Sequence, residues 1–170
     1  IMKIVTKLDA GPVLLQSKIK ITKEINYKEL SSQMSELGAK LILDTLKLIE
    51  SKRTDFTEQN ESQATYAKKI EKSETKINWN DDAEKIVAKI NAFSPNPGCW
   101  FELNGNRIKI IKAKKVIGEG MPGTILNDKF TIACSKNAIQ IIEIQKEGKQ
   151  KIKADEFLKG NKIKTGQSLN

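Results

Sequence analysis

The stretch CWFELNGNRIKIIKAKK, residues 99–115, turns the period of the chain from helical to alternating. Asn104-Gly105 sits between two runs of strand formers, and Asn-Gly is the dipeptide that a two-residue hairpin asks for, because both turn residues take positive φ. The reading is a strand from Cys99 to Leu103 folded back on a second from Arg107 to Lys115. Alternation then puts Arg107 and Lys109 on one face of the second strand and Ile108 and Ile110 on the other. Toward the C-terminus, further strands are expected at Gly123 to Leu126, Phe130 to Cys134 and Ala138 to Gln145, with turns at Asn127-Asp128 and Ser135-Lys136-Asn137. A short helix at Ala154 to Leu158 and a last strand at Lys162 to Lys164 close the run. So many short antiparallel strands leave open edges unless they curl, so residues 77–170 are expected to form a small OB-like β-barrel.

Upstream of the hairpin, Ser94-Pro95-Asn96-Pro97-Gly98 stops a helix running from Asp81 to about Ala92, whose inner face carries Ala83, Ile86, Val87, Ile90 and Phe93. Residues 53–76 lose periodicity and are crowded with Ser, Thr, Glu, Gln and Lys, which reads as a linker. Before it, Asn26 precedes Glu29 at capping-box spacing. Leu30, Met34, Leu37, Leu41 and Leu48, with Ile42, Leu46 and Ile49 in the adjacent row, then trace a helix to about Glu50 that Gly38 is expected to divide. The opening Ile-Met-Lys-Ile-Val-Thr reads as the end of a strand, and Val13 to Ile21 as another after the Gly11-Pro12 turn. Residues 1–52 are thus α/β in character, and the chain reads as one that begins inside a longer domain.

The chain has 170 residues, of which 38% are hydrophobic and 30% charged. No apolar run approaches the ~20 residues of a membrane-spanning helix. Cys99 and Cys134 make neither a disulfide framework nor a zinc cluster; both lie in expected strands and read as buried free thiols. There are 30 Lys and Arg against 21 Asp and Glu, and no His. The net +9 favours an anionic partner, and the missing imidazole removes the commonest general base from the chemistry of this chain alone. Residues 78–170 carry 16 basic and 10 acidic side chains, so two-thirds of the excess lies in the expected barrel. Only Arg53 and Arg107 are arginine. Lysine is a mobile point charge that suits backbone phosphate better than base edges.

Asp9 is the one residue that invites a catalytic reading, at the end of a strand and before a small-residue turn; an ordinary turn Asp would look the same. Here the residues resemble a family. Leu8-Asp9-Ala10-Gly11-Pro12-Val13-Leu14-Leu15 is similar to the LDxG segment of the formyltetrahydrofolate-dependent formyltransferases. Ala64-Thr65-Tyr66-Ala67-Lys68-Lys69-Ile70, Lys76-Ile77-Asn78-Trp79 and Ala92-Phe93-Ser94-Pro95-Asn96-Pro97-Gly98-Cys99-Trp100 resemble three further elements in the same order. Pro122-Gly123-Thr124-Ile125-Leu126 follows, then Glu147-Gly148-Lys149 with Ala154-Asp155-Glu156-Phe157-Leu158. The Tyr66 segment and the tail incline the resemblance to the branch acting on methionyl-tRNA.

The resemblance implies a Rossmann-like catalytic domain ending in residues 1–52, with Asp9 catalytic and the backbone at Lys7 and Leu8 lining a folate pocket. It implies 10-formyltetrahydrofolate as formyl donor, no metal, initiator methionyl-tRNA as acceptor, a cytoplasmic monomer, and a barrel that holds tRNA. The family's Asn and His would lie upstream of Ile1, so these residues alone are expected to be inactive. For tRNA contact the expected residues are Lys68 and Lys69, Arg107 and Lys109, and Lys149 and Lys151. Trp79 and Trp100 are expected to pack in the core. The sequence departs from the family at Asn96, where it has Trp, and at Ser94, where it has Asn. Two alternatives remain: a stand-alone OB-like nucleic-acid-binding module, and a formyltransferase acting on an amino-sugar nucleotide.

Overall fold

The computed structural model describes residues 1–161 and 163–169, and the chain divides into two units, Ile1–Thr22 with Glu29–Lys69 and Lys23–Lys28 with Ile70–Asn170. In the first, the two expected strands do not form. Their residues make only isolated bridges, Met2 to Val13 and Val13 to Thr57, both antiparallel. A strand needs a continuous partner edge, and here Val13 is the single residue that meets both neighbours. Helix α1 (Tyr27–Glu50) is one uninterrupted element, so Gly38 does not divide it. Leu30, Leu37, Leu41 and Leu48 are half-buried along one face around the buried Thr45, while Leu43, Leu46 and Ile49 are exposed.

The second unit is built on the hairpin. Strands β1 (Cys99–Leu103) and β2 (Asn106–Val116) pair across Asn104 and Gly105, whose φ angles are 51° and 73°. Four more strands follow: β3 (Ile125–Asn127), β4 (Thr131–Ala133), β5 (Ala138–Lys146) and β6 (Lys151–Lys153). All named pairs are antiparallel, in the order β1-β2-β5-β4-β3. β5 is the hub: one edge pairs with β2 along its length, and the other pairs with β4 near its start and with β6 near its end. Splitting one edge between two partners bends the sheet, so the antiparallel character expected from the sequence is present in a curled form. Among the described residues both outer edges are covered. Ile77 N–H donates to the Trp100 carbonyl on β1, and residues 166–169 exchange hydrogen bonds with Gly123 and Ile125 beside β3. Of the strand expected at 162–164, Ile163 and Lys164 are not in strand conformation and Lys162 lies outside the described residues.

A register shift near Ile111 leaves Ile110 and Ile111 both buried. Before that bulge the odd positions Arg107 and Lys109 point outward; after it the even positions Lys112 and Lys114 do. The inserted residue inverts the alternation without breaking the strand. Helix α2 (Ala83–Phe93) buries Ala83, Ile86 and Ile90 on the sheet, and the Asp82 side chain caps it by accepting from Lys85 N–H at 2.8 Å. Helix α3 (Ala154–Gly160) buries Ala154 and Phe157.

The core is threaded by four rings in series. Trp79 meets Phe101 edge-on at 5.8 Å, Phe101 meets Phe130 edge-on at 6.1 Å, and Phe130 stacks on Phe157 at 5.9 Å. Phe130 sits at φ 55°, a region that bulky side chains avoid, yet it is fully buried. Cys99 and Cys134 are buried free thiols, and burial pushes both up to about 11 from an ordinary 9. Since the folded state keeps these protons longer than the unfolded chain, stability is expected to fall as pH rises from about 9 toward 11. At pH 8 both thiols are expected to react with a disulfide-exchange reagent only in denaturant. Rapid labelling of the native protein would contradict their burial.

Candidate functional site

A cleft of about 360 Å³ opens on the outer face of the hairpin, between the segment entering the second unit and the β5–β6 turn. Trp100 lies at its base, only 9% exposed. Its indole N–H donates to Thr75 Oγ1 at 3.1 Å, and that hydroxyl donates to the Lys72 carbonyl at 2.8 Å. The ring orientation is therefore set by a buried relay. Hairpin register puts Lys109 opposite Trp100 and Arg107 opposite Glu102. From that diagonal position the Arg107 guanidinium lies 3.9 Å from the Trp100 ring centroid, and Lys76 Nζ lies 5.3 Å from it.

Gly98 completes the wall. Its φ is +82°, and a β-carbon there would press on the Lys109 side chain at 3.0 Å, so glycine supplies both the backbone shape and the space. Lys72, Arg107 and Lys109 line the cleft with Glu147 as its acidic member. Among the described residues none of these three cations is in an ion pair. Other lysines are committed elsewhere. Lys115 and Lys23 both bind Glu84, at 3.1 and 2.6 Å, and these two hydrogen bonds, Lys23 first, hold the Glu84 carboxyl down to about 2. Lys146 Nζ donates to Asn161 Oδ1 at 2.9 Å and lies over the Phe157 ring.

The residues named from sequence are thus distributed unevenly. Arg107 and Lys109 share the outward face of β2 and enter the cleft together. Lys151 is held by Glu143 at 3.1 Å, so its charge is already answered within the fold. Lys149 is exposed beside the Gly148 turn, and its carbonyl accepts from Gln145 Nε2 at 2.7 Å. Lys68 and Lys69 are exposed and belong to the first unit. Trp79 is core. Trp100 is buried too, but by cations and a hydrogen-bond relay rather than by apolar packing alone. Asn96, where the resemblance leads one to expect Trp, lines this cleft with Pro97, while the Ser94 hydroxyl donates to the Ile111 carbonyl at 2.7 Å. Lys72 and Trp100 were not marked as site residues from sequence; the Asn104-Gly105 register, extended four pairs, puts Lys109 opposite Trp100 and Arg107 diagonal to it on the same face.

In the first unit Asp9 stands at φ 54° with its side chain exposed. The turn around it is tightly specified. Gly11 is buried against the Lys3 carbonyl, which a β-carbon at position 11 would overlap, and Lys3 N–H donates to the Pro12 carbonyl at 2.9 Å. Gln59 donates both amide hydrogens to the turn, to the carbonyls of Asp9 at 2.9 Å and Gly11 at 2.7 Å. Lys7 pairs with Glu61 at 2.7 Å, which raises the lysine's pKa, and Leu8 is 87% exposed. Gln59 and Glu61 lie in the stretch that reads from sequence as a linker; polar composition conceals that they hold the Asp9 turn.

Among the described residues no group of acidic or thiol side chains is arranged to hold a metal ion, and no helix is long and apolar enough to cross a membrane. Residues 69–162 match the family described as formyl transferase, C-terminal domain. A methionyl-tRNA formyltransferase of Pelagibacter ubique is 40% identical over 170 residues, covering 99% of this chain and 55% of the relative. One of Bradyrhizobium diazoefficiens is 37% identical over 170 residues, covering 98% of this chain and 55% of the relative. The chain therefore spans about half the length of the curated relatives it matches. Among solved structures, HypX from Aquifex aeolicus in complex with tetrahydrofolic acid superposes with a TM-score of 0.73 at 20% identity, over 98% of this chain and 33% of that one. An N-formyltransferase from Helicobacter canadensis, in complex with folinic acid and dTDP-3-aminofucose, gives 0.63 at 20% identity, over 85% of this chain and 54% of that one.

Proposed function

The chain belongs to the formyl transferase family through the C-terminal domain at residues 69–162, and on that premise we propose that it is part of a methionyl-tRNA formyltransferase. The observation that carries this reading is the 37–40% identity to enzymes of that name over nearly every residue of this chain, the Asp9 turn included. In this reading residues 1–52 end the catalytic domain, 53–76 connect it, and 77–170 are an OB-like tRNA-holding barrel. The protein works in the cytoplasm as a monomer.

The reaction moves a formyl group from 10-formyltetrahydrofolate to the α-amino group of initiator methionyl-tRNA. The amine nitrogen bonds to the formyl carbon, a tetrahedral oxyanion forms, and the bond from that carbon to the folate nitrogen breaks. The amine proton passes to that departing nitrogen. Asp9 is the proton acceptor or the group that orders a relay, with Lys7 and Leu8 at the rim of the folate pocket. This chain holds no His, so an imidazole donor to the oxyanion is supplied by residues other than these.

The second unit contributes charge for RNA. Among the described residues Lys72, Arg107 and Lys109 line the cleft without an ion pair, Lys149 adds an exposed charge in the same unit, and Lys151 is reduced to a minor part by Glu143, while Lys68 and Lys69 are exposed cations of the first unit. The Lys72→Glu/Lys109→Glu double variant is expected to bind initiator methionyl-tRNA about tenfold or more weakly at low salt, with a shallower dependence of log affinity on log salt concentration. Unchanged affinity and slope would remove the cleft from the RNA-binding surface.

A further inference from the structure

We propose that the guanidinium of Arg107, held over Trp100, is a stacking platform for an unpaired RNA base, so that the cleft reads a nucleobase face as well as phosphate charge. The proposal rests on the RNA-binding reading above and adds a recognition mode to it.

The geometry is that of a pre-assembled stack. Trp100 cannot turn, because its N–H is tied to Thr75 and that hydroxyl to the Lys72 carbonyl. The guanidinium carbon lies over the indole, 3.9 Å from its centroid, well inside the range of a cation–π contact. The guanidinium is thus held against Trp100, while the residue remains exposed and lines the cleft. Among the described residues the Arg107 guanidinium makes no ion pair; its cross-strand partner Glu102 lies instead 3.9 Å from Lys76. A cation whose role was to close a salt bridge would have taken that carboxylate.

The composition supports the same conclusion. In a chain with 30 basic side chains, Arg53 and Arg107 are the only arginines. Lysine supplies a charge to phosphate equally well, but it has no plane. A planar guanidinium stacks on an aromatic ring on one side and on a base on the other, and unstacked RNA bases are commonly held on arginine planes in this way. Lys109, its stem lying across Gly98, is placed to meet the phosphate of the same nucleotide.

The test separates base from backbone. Binding of the 170-residue chain is measured with an adenine oligoribonucleotide and with an abasic oligoribonucleotide of the same length and phosphate count. The wild type is expected to prefer the adenine strand by about tenfold, the range of one base stacked on a side-chain platform. Arg107→Lys keeps the charge and is expected to lose that preference, its affinity for the adenine strand falling to that for the abasic strand. Equal binding of the two strands by the wild type, or a preference that survives in Arg107→Lys, overturns the platform and leaves the charge reading intact. Binding of neither strand overturns both.

Discussion

Phe101→Ala is expected to lower the unfolding free energy of the second unit by about 3–5 kcal/mol, the range for removing a fully buried aromatic ring. Phe101 is 1% exposed and is the link that joins Trp79 to Phe130, and through Phe130 to Phe157. Its removal from β1 opens a cavity bordered by rings from other parts of the chain: Trp79 before α2 and Phe130 just before β4, which itself stacks on Phe157 of α3. These cannot close on the void together, because β1 is locked in register to β2 and β2 to β5. Both tryptophans lie in this unit, so urea unfolding followed by tryptophan emission reports it directly. The midpoint temperature should fall by roughly 10 °C or more. A loss below about 1 kcal/mol would show that the rings repack freely and that the series is not a structural axis.

The second large effect is expected from Gly11→Ala, with Gly38→Ala as its control. At position 11 a β-carbon meets the Lys3 carbonyl, a backbone atom with no rotamer to escape into. The turn must move, which breaks the Lys3 to Pro12 hydrogen bond and pulls the Gly11 carbonyl off Gln59. On the proposed reading, formyl transfer by a protein that contains this chain is expected to drop about 100-fold, the scale of a misplacement near 1 Å in a reacting group. Amide protection at Lys3 should fall with it. At Gly38, inside α1, nothing lies within 4 Å of an added β-carbon, and alanine is expected to stabilise the helix by about 0.5–1 kcal/mol. Wild-type activity in Gly11→Ala would mean that the Asp9 turn does not position the chemistry.

What could be read in the sequence follows from how local its physics is. The β1–β2 hairpin was legible because Asn104-Gly105 dictates its own backbone, and α2 because the Ala83, Ile86, Ile90 spacing is contained within it; its cap, expected at Asn80 or Asp81, is Asp82. The short β6 was not: Lys-Ile-Lys at 151–153 has no pattern of its own and becomes a strand because β5 offers it residues 143–145. The reverse error at Val13 to Ile21 has the same origin, since strand-forming residues stay irregular where no partner edge is available. In the site, Arg107 and Lys109 were visible through alternation. The relay from Trp100 to Thr75 and Lys72 depends on a parallel bridge between Lys76 and Trp100, a tertiary contact with no sequence signature. Gln59 was hidden by its neighbours, whose polar composition suits a solvated connector equally well.

The covering of the two outer sheet edges has a topological consequence. The segment that caps β1, at Lys76 and Ile77, and the one that caps β3, at 167–169, line a single cleft of about 380 Å³ with Trp79 and Phe101. Lys76 and Ile77 therefore lie side by side with residues 167–169 in this folded unit. Such a unit suits circular permutation: a short bridge can join the two ends while new termini are cut at the exposed Asn104-Gly105 turn, leaving the strand ladders paired as before. The same neighbourhood of ends lets the unit be carried as an insert in a surface loop of another protein, a module whose place in a longer chain is set by its attachment points rather than by its order.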